Sequence, residues 1–161
     1  MSSFFGKNKK ADGKDLKKFN PTAKIGNHLW IDENNKLLMI STKMYIKPKF
    51  LLSFDDLISH SIMINGKTLI KSNGVGRAIG GGLLFGPAGA IVGAITGSSK
   101  DKSYVNILMI SLEISQNGKI KKENIPFIAG TKTKTDSAQY KTIEIEMQKV
   151  INALDEIINS K

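Results

Sequence analysis

Residues 137–160 read SAQYKTIEIEMQKVINALDEIINS. Within this stretch Tyr140, Ile143, Met147, Val150, Ile151, Leu154, Ile157 and Ile158 recur at steps of three and four. That period puts them on one face of an amphipathic helix of about six turns. Lys141, Glu144, Glu146, Lys149, Asp155 and Glu156 fall mainly on the wet side. Asp136, followed three residues later by Gln139, resembles a capping box, so the helix is expected over residues 136–160. A helix with one apolar stripe needs a surface to cover, and the residues before it supply one.

Working back toward the N-terminus, short apolar runs alternate with turns. Residues 28–32 (HLWID) and 37–40 (LLMI) flank ENNK at 33–36, which predicts a hairpin. Met44, Tyr45 and Ile46 suggest a third short strand ending near Pro48. Residues 50–54 lead through Asp55 and Asp56, read as a turn, into a strand ending at Ile64. Asn65-Gly66 is a hairpin dipeptide because both residues tolerate positive φ, and residues 67–71 return from it. Residues 104–114 form a long strand of imperfect period, as expected for one covered on both sides or crossed by a bulge. Asn117-Gly118 is a second turn, and residues 124–129 form the last strand, with Pro126 marking an edge or a bulge. The expected fold is therefore α+β, mainly β: an antiparallel barrel or sandwich of about seven strands with a C-terminal helix plugging its open end.

Phe54-Asp55-Asp56-Leu57-Ile58, the Asn65-Gly66 hairpin and the helix over 137–160, in that order, resemble the pleckstrin-homology-like (PH-like) superfold, including bacterial PH-like and GRAM-like domains. The resemblance covers residues 28–160. Members of these bacterial families also carry a glycine-rich apolar insertion ending in a GPxGAxxG run, matched here from Gly86 through Pro87, Ala88, Gly89 and Ala90 to Gly93. The resemblance implies a non-enzymatic binding domain. The zinc-ribbon and short helical modules often joined to such domains have no counterpart in this sequence.

The insertion itself, GVGRAIGGGLLFGPAGAIVGAITG at residues 74–97, holds nine of the 15 glycines. A P-loop would need Gly-Lys-Ser/Thr, but Gly97 is followed by Ser98 and Ser99. A dinucleotide fingerprint would need G-x-G-x-x-G, and residues 74–80 contain one residue too many. The spacing that does recur is four: Gly76 with Gly80, Gly82 with Gly86, and Gly89 with Gly93 and Gly97. On a helix this leaves a stripe without side chains, where a second backbone can approach closely. Leu83, Leu84, Phe85, Ile91, Val92 and Ile95 take the other faces, and Gly86-Pro87 divides the segment into two arms of a helical hairpin. Each glycine costs up to about 1 kcal/mol relative to alanine in a helix, so an apolar cover is required. The cover is the domain itself, another copy, or a bilayer. Each arm is shorter than the roughly 20 residues a span needs, which leaves a shallow re-entrant hairpin as the membrane form.

Charge is uneven. The chain carries a formal net charge of +10, and residues 1–27 contribute half of it through Lys7, Lys9, Lys10, Lys14, Lys17, Lys18 and Lys24 against Asp12 and Asp15. This stretch lacks an apolar period and reads as a flexible tail, with a domain over 28–160 and an insertion over 74–99. Lys7, Lys9, Lys10, Lys14, Lys17, Lys18, Arg77, Lys100 and Lys102 are the candidate contacts with an anionic partner, either lipid headgroups or nucleic acid. No continuous apolar stretch follows the N-terminal charges, so the expected location is cytoplasmic, peripheral at the inner face of the membrane.

Catalytic chemistry finds little support. There is no cysteine, and the two histidines, His28 and His60, lack partners at metal spacing and read as strand residues. Neither Asp32-Glu33, at a hairpin corner, nor Ser98-Ser99, without a base nearby in sequence, makes a constellation. No enzyme activity, cofactor, metal or small-molecule substrate is expected. The expected function is that of an adaptor whose glycine-rich hairpin mediates membrane association or self-assembly, with a protein partner or a second copy as further possibilities. The alternative is a nucleic-acid or host-factor binder of phage or mobile-element type, working through the basic tail with Phe4, Phe5 and Phe19 for stacking.

Overall fold

A computed structural model describes residues 17–72 and 104–161. They form strands β1 (Ala23–Ile25), β2 (Leu29–Asp32), β3 (Leu37–Ile40), β4 (Phe50–Ser53), β5 (Leu57–Ile64), β6 (Lys67–Ser72), β7 (Tyr104–Gln116) and β8 (Lys119–Lys134), followed by helix α1 (Ala138–Asn159). The strands make two antiparallel sheets, ordered β1-β2-β3-β4 and β6-β5-β7-β8, rather than one closed ladder. The described residues hold eight strands, against the expected number of about seven. Ala23–Ile25, assigned to the tail from sequence, is the first of them and pairs with Leu29, Trp30 and Ile31. Met44, Tyr45 and Ile46 form no strand, because Tyr45 sits at φ 60, where an extended ladder cannot continue.

The connections follow from their turn residues. Asn65-Gly66 and Asn117-Gly118 have φ 48 and 82, and 57 and 71, the positive pairs that match the twist of hairpin strands. Phe54–Asp56 forms a single 3-10 turn, capped by Ser53 accepting from the Asp56 backbone N–H while Asp56 accepts from the Ser53 N–H. Asp55 and Asp56 thus sit in a turn, as expected, and the turn redirects the chain from the first sheet into the second.

Both sheets and the helix feed one core. Leu29, Ile31, Leu38, Ile40 and Leu52 alternate inward from the first sheet, and Leu57, Ile62, Ile64, Leu108, Ile110, Leu112 and Ile114 from the second. From α1 come Tyr140, Met147, Val150, Ile151, Leu154, Ile157 and Ile158. Ile143, expected on the same stripe, is half-buried against the cluster. Glu144 corrects the expected wet face. It lies four residues after Tyr140 and three before Met147, so helix geometry carries it into the stripe, and burial pushes its carboxyl above the usual range, partly offset by Lys141. The cap is also shifted by one residue from Asp136: Ser137 accepts from the Tyr140 N–H at 3.1 Å.

The uneven period of β7 has a specific cause. Val105 and Leu108 are both fully buried although three residues apart, and Ile107 between them is 36% exposed. The register against β8 shifts between Val105 and Ile107. On the β5 side, the Asn65 side-chain oxygen accepts from the backbone N–H groups of Asn106 and Ile107, at 2.9 and 3.2 Å. Asn65 therefore makes the hairpin turn and also satisfies the donors that the bulge frees. A second shift between Leu108 and Met109 falls at Pro126, which lies at a bulge on an edge strand, as expected from sequence.

Candidate functional site

The connection between β3 and β4, residues 41–49, reads STKMYIKPK. Its base is held firmly. The Ser41 N–H donates to His28 O, the Lys49 N–H donates to Ile40 O, and Pro48 is buried. The buried Ser41 hydroxyl lies within hydrogen-bonding reach of the Lys43 and Ile46 carbonyls, at 2.7 and 2.5 Å. Its tip faces outward: Tyr45 is 88% exposed and Ile46 41% exposed, beside exposed Lys43, Lys47 and Lys49. Below the tip lies a groove of about 370 Å³ between this loop, β8 and the first turns of α1. Met44, Phe127 and Ile143 give it apolar walls, and Thr131 and Thr133 add hydroxyls.

Deeper on the same side, His28 stacks on Phe127 with ring centroids 4.2 Å apart, and its Nε2 lies 3.4 Å from Glu146 Oε2 of α1. His28 occupies the turn before β2 rather than the strand expected for it. Gly26 makes the approach possible: at φ 49 it accepts Glu146 where a Cβ would collide with the carboxylate. Burial holds His28 below its ordinary value, with Glu146 opposing that shift. The neutral imidazole is thus the form the fold favours. Its contribution to stability is complete above the unfolded value of 6.5 and is lost as pH falls through the lower folded value. Glu144, raised by burial, works the other way and stabilises on acidification. Between pH 7 and 5, His28→Gln should therefore remove a stability loss of under about 1 kcal/mol, visible as a flatter or inverted Tm profile in that window. An unchanged profile would show that His28 does not carry this dependence.

The second histidine also reaches α1. His60 on β5 is 2% exposed, and its Nε2 lies 2.7 Å from Asp155 Oδ1. Asp32, at the hairpin corner, is an anchor for the N-terminal approach: it accepts from the Asn20 N–H at 2.9 Å and from the Asn35 N–H and Nδ2 at 3.0 and 2.7 Å. Burial alone would raise its carboxyl, but these donors hold it below the usual range. Among the described residues no three His, Asp or Glu side chains gather as metal ligands, and no helix is long and apolar enough to cross a membrane.

The residues singled out from sequence divide between the two regions. The glycine stripe (Gly76, Gly80, Gly82, Gly86, Gly89, Gly93, Gly97), its apolar neighbours Leu83, Leu84, Phe85, Ile91, Val92 and Ile95, and Arg77, Lys100 and Lys102 lie outside the described residues, as do Lys7, Lys9, Lys10 and Lys14. Lys17 and Lys18 are described and exposed. The Tyr45-Ile46 tip was not anticipated. Its signal was present as an aromatic and an aliphatic residue between lysines just before a proline, but alternation with the preceding hairpin made it read as a strand.

Two packed antiparallel sheets and a closing C-terminal helix, interrupted between β6 and β7 by the glycine-rich segment, are now joined by direct evidence of kinship. A family model described as "Glycine zipper containing PH domain" matches residues 17–129. The chain belongs to this family. The match begins ahead of β1, so the family domain takes in residues that composition alone placed in the tail. It ends at Ala129, within β8 and before α1. No match was found among curated proteins or among solved structures. PH-like domains are generally binding modules for proteins or lipids and are typically non-catalytic, which suggests a binding or adaptor role for this chain.

Proposed function

We propose that this chain is a non-enzymatic adaptor whose PH-like domain carries the glycine-rich segment as its contact element, and that the contact is with an anionic membrane surface on the cytoplasmic side. The observation behind this reading is the position of the segment. It is inserted between two strands of one folded sheet, leaving from Ser72 and returning at Tyr104, so an apolar sequence with helix-contact spacing is mounted on an ordered domain. Arg77, Lys100 and Lys102 flank it with positive charge suited to acidic headgroups.

The test must preserve the mount. Ser72 stands opposite His60, which stands opposite Leu112, eight residues along β7 from Tyr104. The two attachment points are therefore about 26 Å apart along the strands, close to the reach of the few residues a simple deletion would leave. Residues 76–97 are better replaced by a Gly/Ser linker of equal length. In a flotation assay with phosphatidylserine-containing vesicles, the intact chain should rise with lipid and the linker chain should stay below. If both stay below while light scattering shows that only the intact chain associates, the segment mediates self-assembly instead. If a duplex DNA probe binds both chains and is lost on removing residues 1–16, the nucleic-acid alternative takes precedence.

A further inference from the structure

We infer that the groove between the β3–β4 loop, β8 and the start of α1 docks a short extended segment of a partner protein, rich in Asp or Glu and carrying one large apolar side chain. The segment adds to the outer edge of β8. This docking uses neither the glycine segment nor a lipid surface, so it stands or falls apart from the proposed function.

The first support is the open edge. β8 is the outer strand of its sheet and pairs with β7 on one side. Among the described residues, no backbone–backbone hydrogen bond joins residues 126–129 to anything on the other side. Pro126, Phe127, Ile128 and Ala129 nevertheless all line the groove. Side chains of successive strand residues point to opposite faces, so four in a row meet one groove along the strand's edge, where the backbone comes within its reach. Gly130 follows at φ 84 with nothing within 4 Å of the place a Cβ would take, so the edge stays uncovered beyond the groove. An unpaired edge is where an extended chain adds as a further strand.

The second support is the lining. A volume of about 370 Å³ has room for one large side chain and the backbone that carries it. Met44 and Ile143 are apolar walls, and Tyr45 on the rim is 88% exposed, leaving a ring face that a seated apolar side chain would cover. The third is charge. Lys43 lines the groove and no Asp or Glu does. Lys141 lies between the lining residues Gln139 and Ile143, whereas Glu144 is buried and Glu146 is turned to His28 at 3.4 Å. The first turn of α1 adds the positive end of its dipole. A second copy is a poor occupant, because its own β8 would bring exposed Lys132 and Lys134 against these like charges.

The test uses the full chain and an array of seven-residue peptides with Phe, Leu or Val at the centre, flanked by Asp and Glu or by Lys. Fluorescence anisotropy should show at least one acid-flanked peptide binding about tenfold or more tightly than its lysine-flanked counterpart. N-methylation of the central amides should weaken it by a similar factor, because strand addition needs those donors. Lys43→Glu, on an exposed side chain, should leave Tm unchanged and shift the preference toward the lysine-flanked peptide. On binding, NMR amide signals of residues 42–45 and 127–131 should move. The linker chain lacking residues 76–97 should bind the peptide as the intact chain does, so its failure to float with vesicles bears on the glycine reading alone. Absence of binding by every acid-flanked peptide at millimolar concentration overturns the inference. So does binding that neither N-methylation nor Lys43→Glu alters. If the same amide signals move with phosphatidylserine vesicles or duplex DNA and with no peptide, the groove belongs to that surface and the peptide assignment is rejected.

Discussion

Leu154→Ala should lower the free energy of unfolding by about 3 kcal/mol. Leu154 is fully buried in the core to which both sheets and α1 contribute, with Val150, Ile151, Ile157 and Ile158 of the same helix. Truncation removes apolar area and leaves a cavity that rigid sheet walls cannot close, and both terms act in the same direction. For a chain of this size each kcal/mol shifts Tm by roughly 2–4 °C, so a fall on the order of 6–12 °C is expected in a thermal melt. Asn152→Ala, on the exposed side of the same helix, should change stability by no more than about 0.5 kcal/mol. Equal effects at the two positions would mean that α1 is not seated by this face.

The other large effect is expected at Asp155. Asp155→Ala removes the acceptor for the His60 Nε2–H, which lies 2.7 Å away on a side chain 3% exposed. The His60 Nδ1 has no hydrogen-bond partner among the described residues, so the imidazole would be left buried without any. Stranding a buried polar group costs about 1–3 kcal/mol, and the expected loss here is about 2. Asp155→Asn keeps an acceptor oxygen and should recover more than half of that. His60→Leu, which removes the group needing satisfaction and leaves a carboxylate 26% exposed, should cost less than Asp155→Ala. Urea denaturation of the three variants gives the ordering, and a reversed order of the last two would refute the argument.

Much of the fold was legible because its local signals agreed. Asn65-Gly66 and Asn117-Gly118 are turns wherever alternating strands flank them, and the stripe from Tyr140 to Ile158 admits no other periodicity. Ala23–Ile25 was hidden because three residues carry no period; pairing with Leu29–Ile31 defines that strand, and pairing is not a local property. Glu144 was misread for the opposite reason: its position announced burial and its charge denied it. Of the candidate site, the small-residue spacing could be read directly, whereas the Tyr45 tip depends on a backbone angle that no propensity reveals. The partnership of both histidines with α1, across 118 and 95 residues, was likewise invisible at the level of spacing.

The helix that completes the core also sets a time. Its anchors at Leu154 and Ile157 follow the inward residues Ile62 and Ile64 by some 90 positions. At about 5–20 residues per second of synthesis, the first sheet and β5 would wait roughly 5–20 s for the helix's share of the core, with β7 and β8 arriving in between. The glycine-rich segment emerges during that same interval. A growing chain therefore carries a part-built core and an apolar insertion at the same time, before α1 exists.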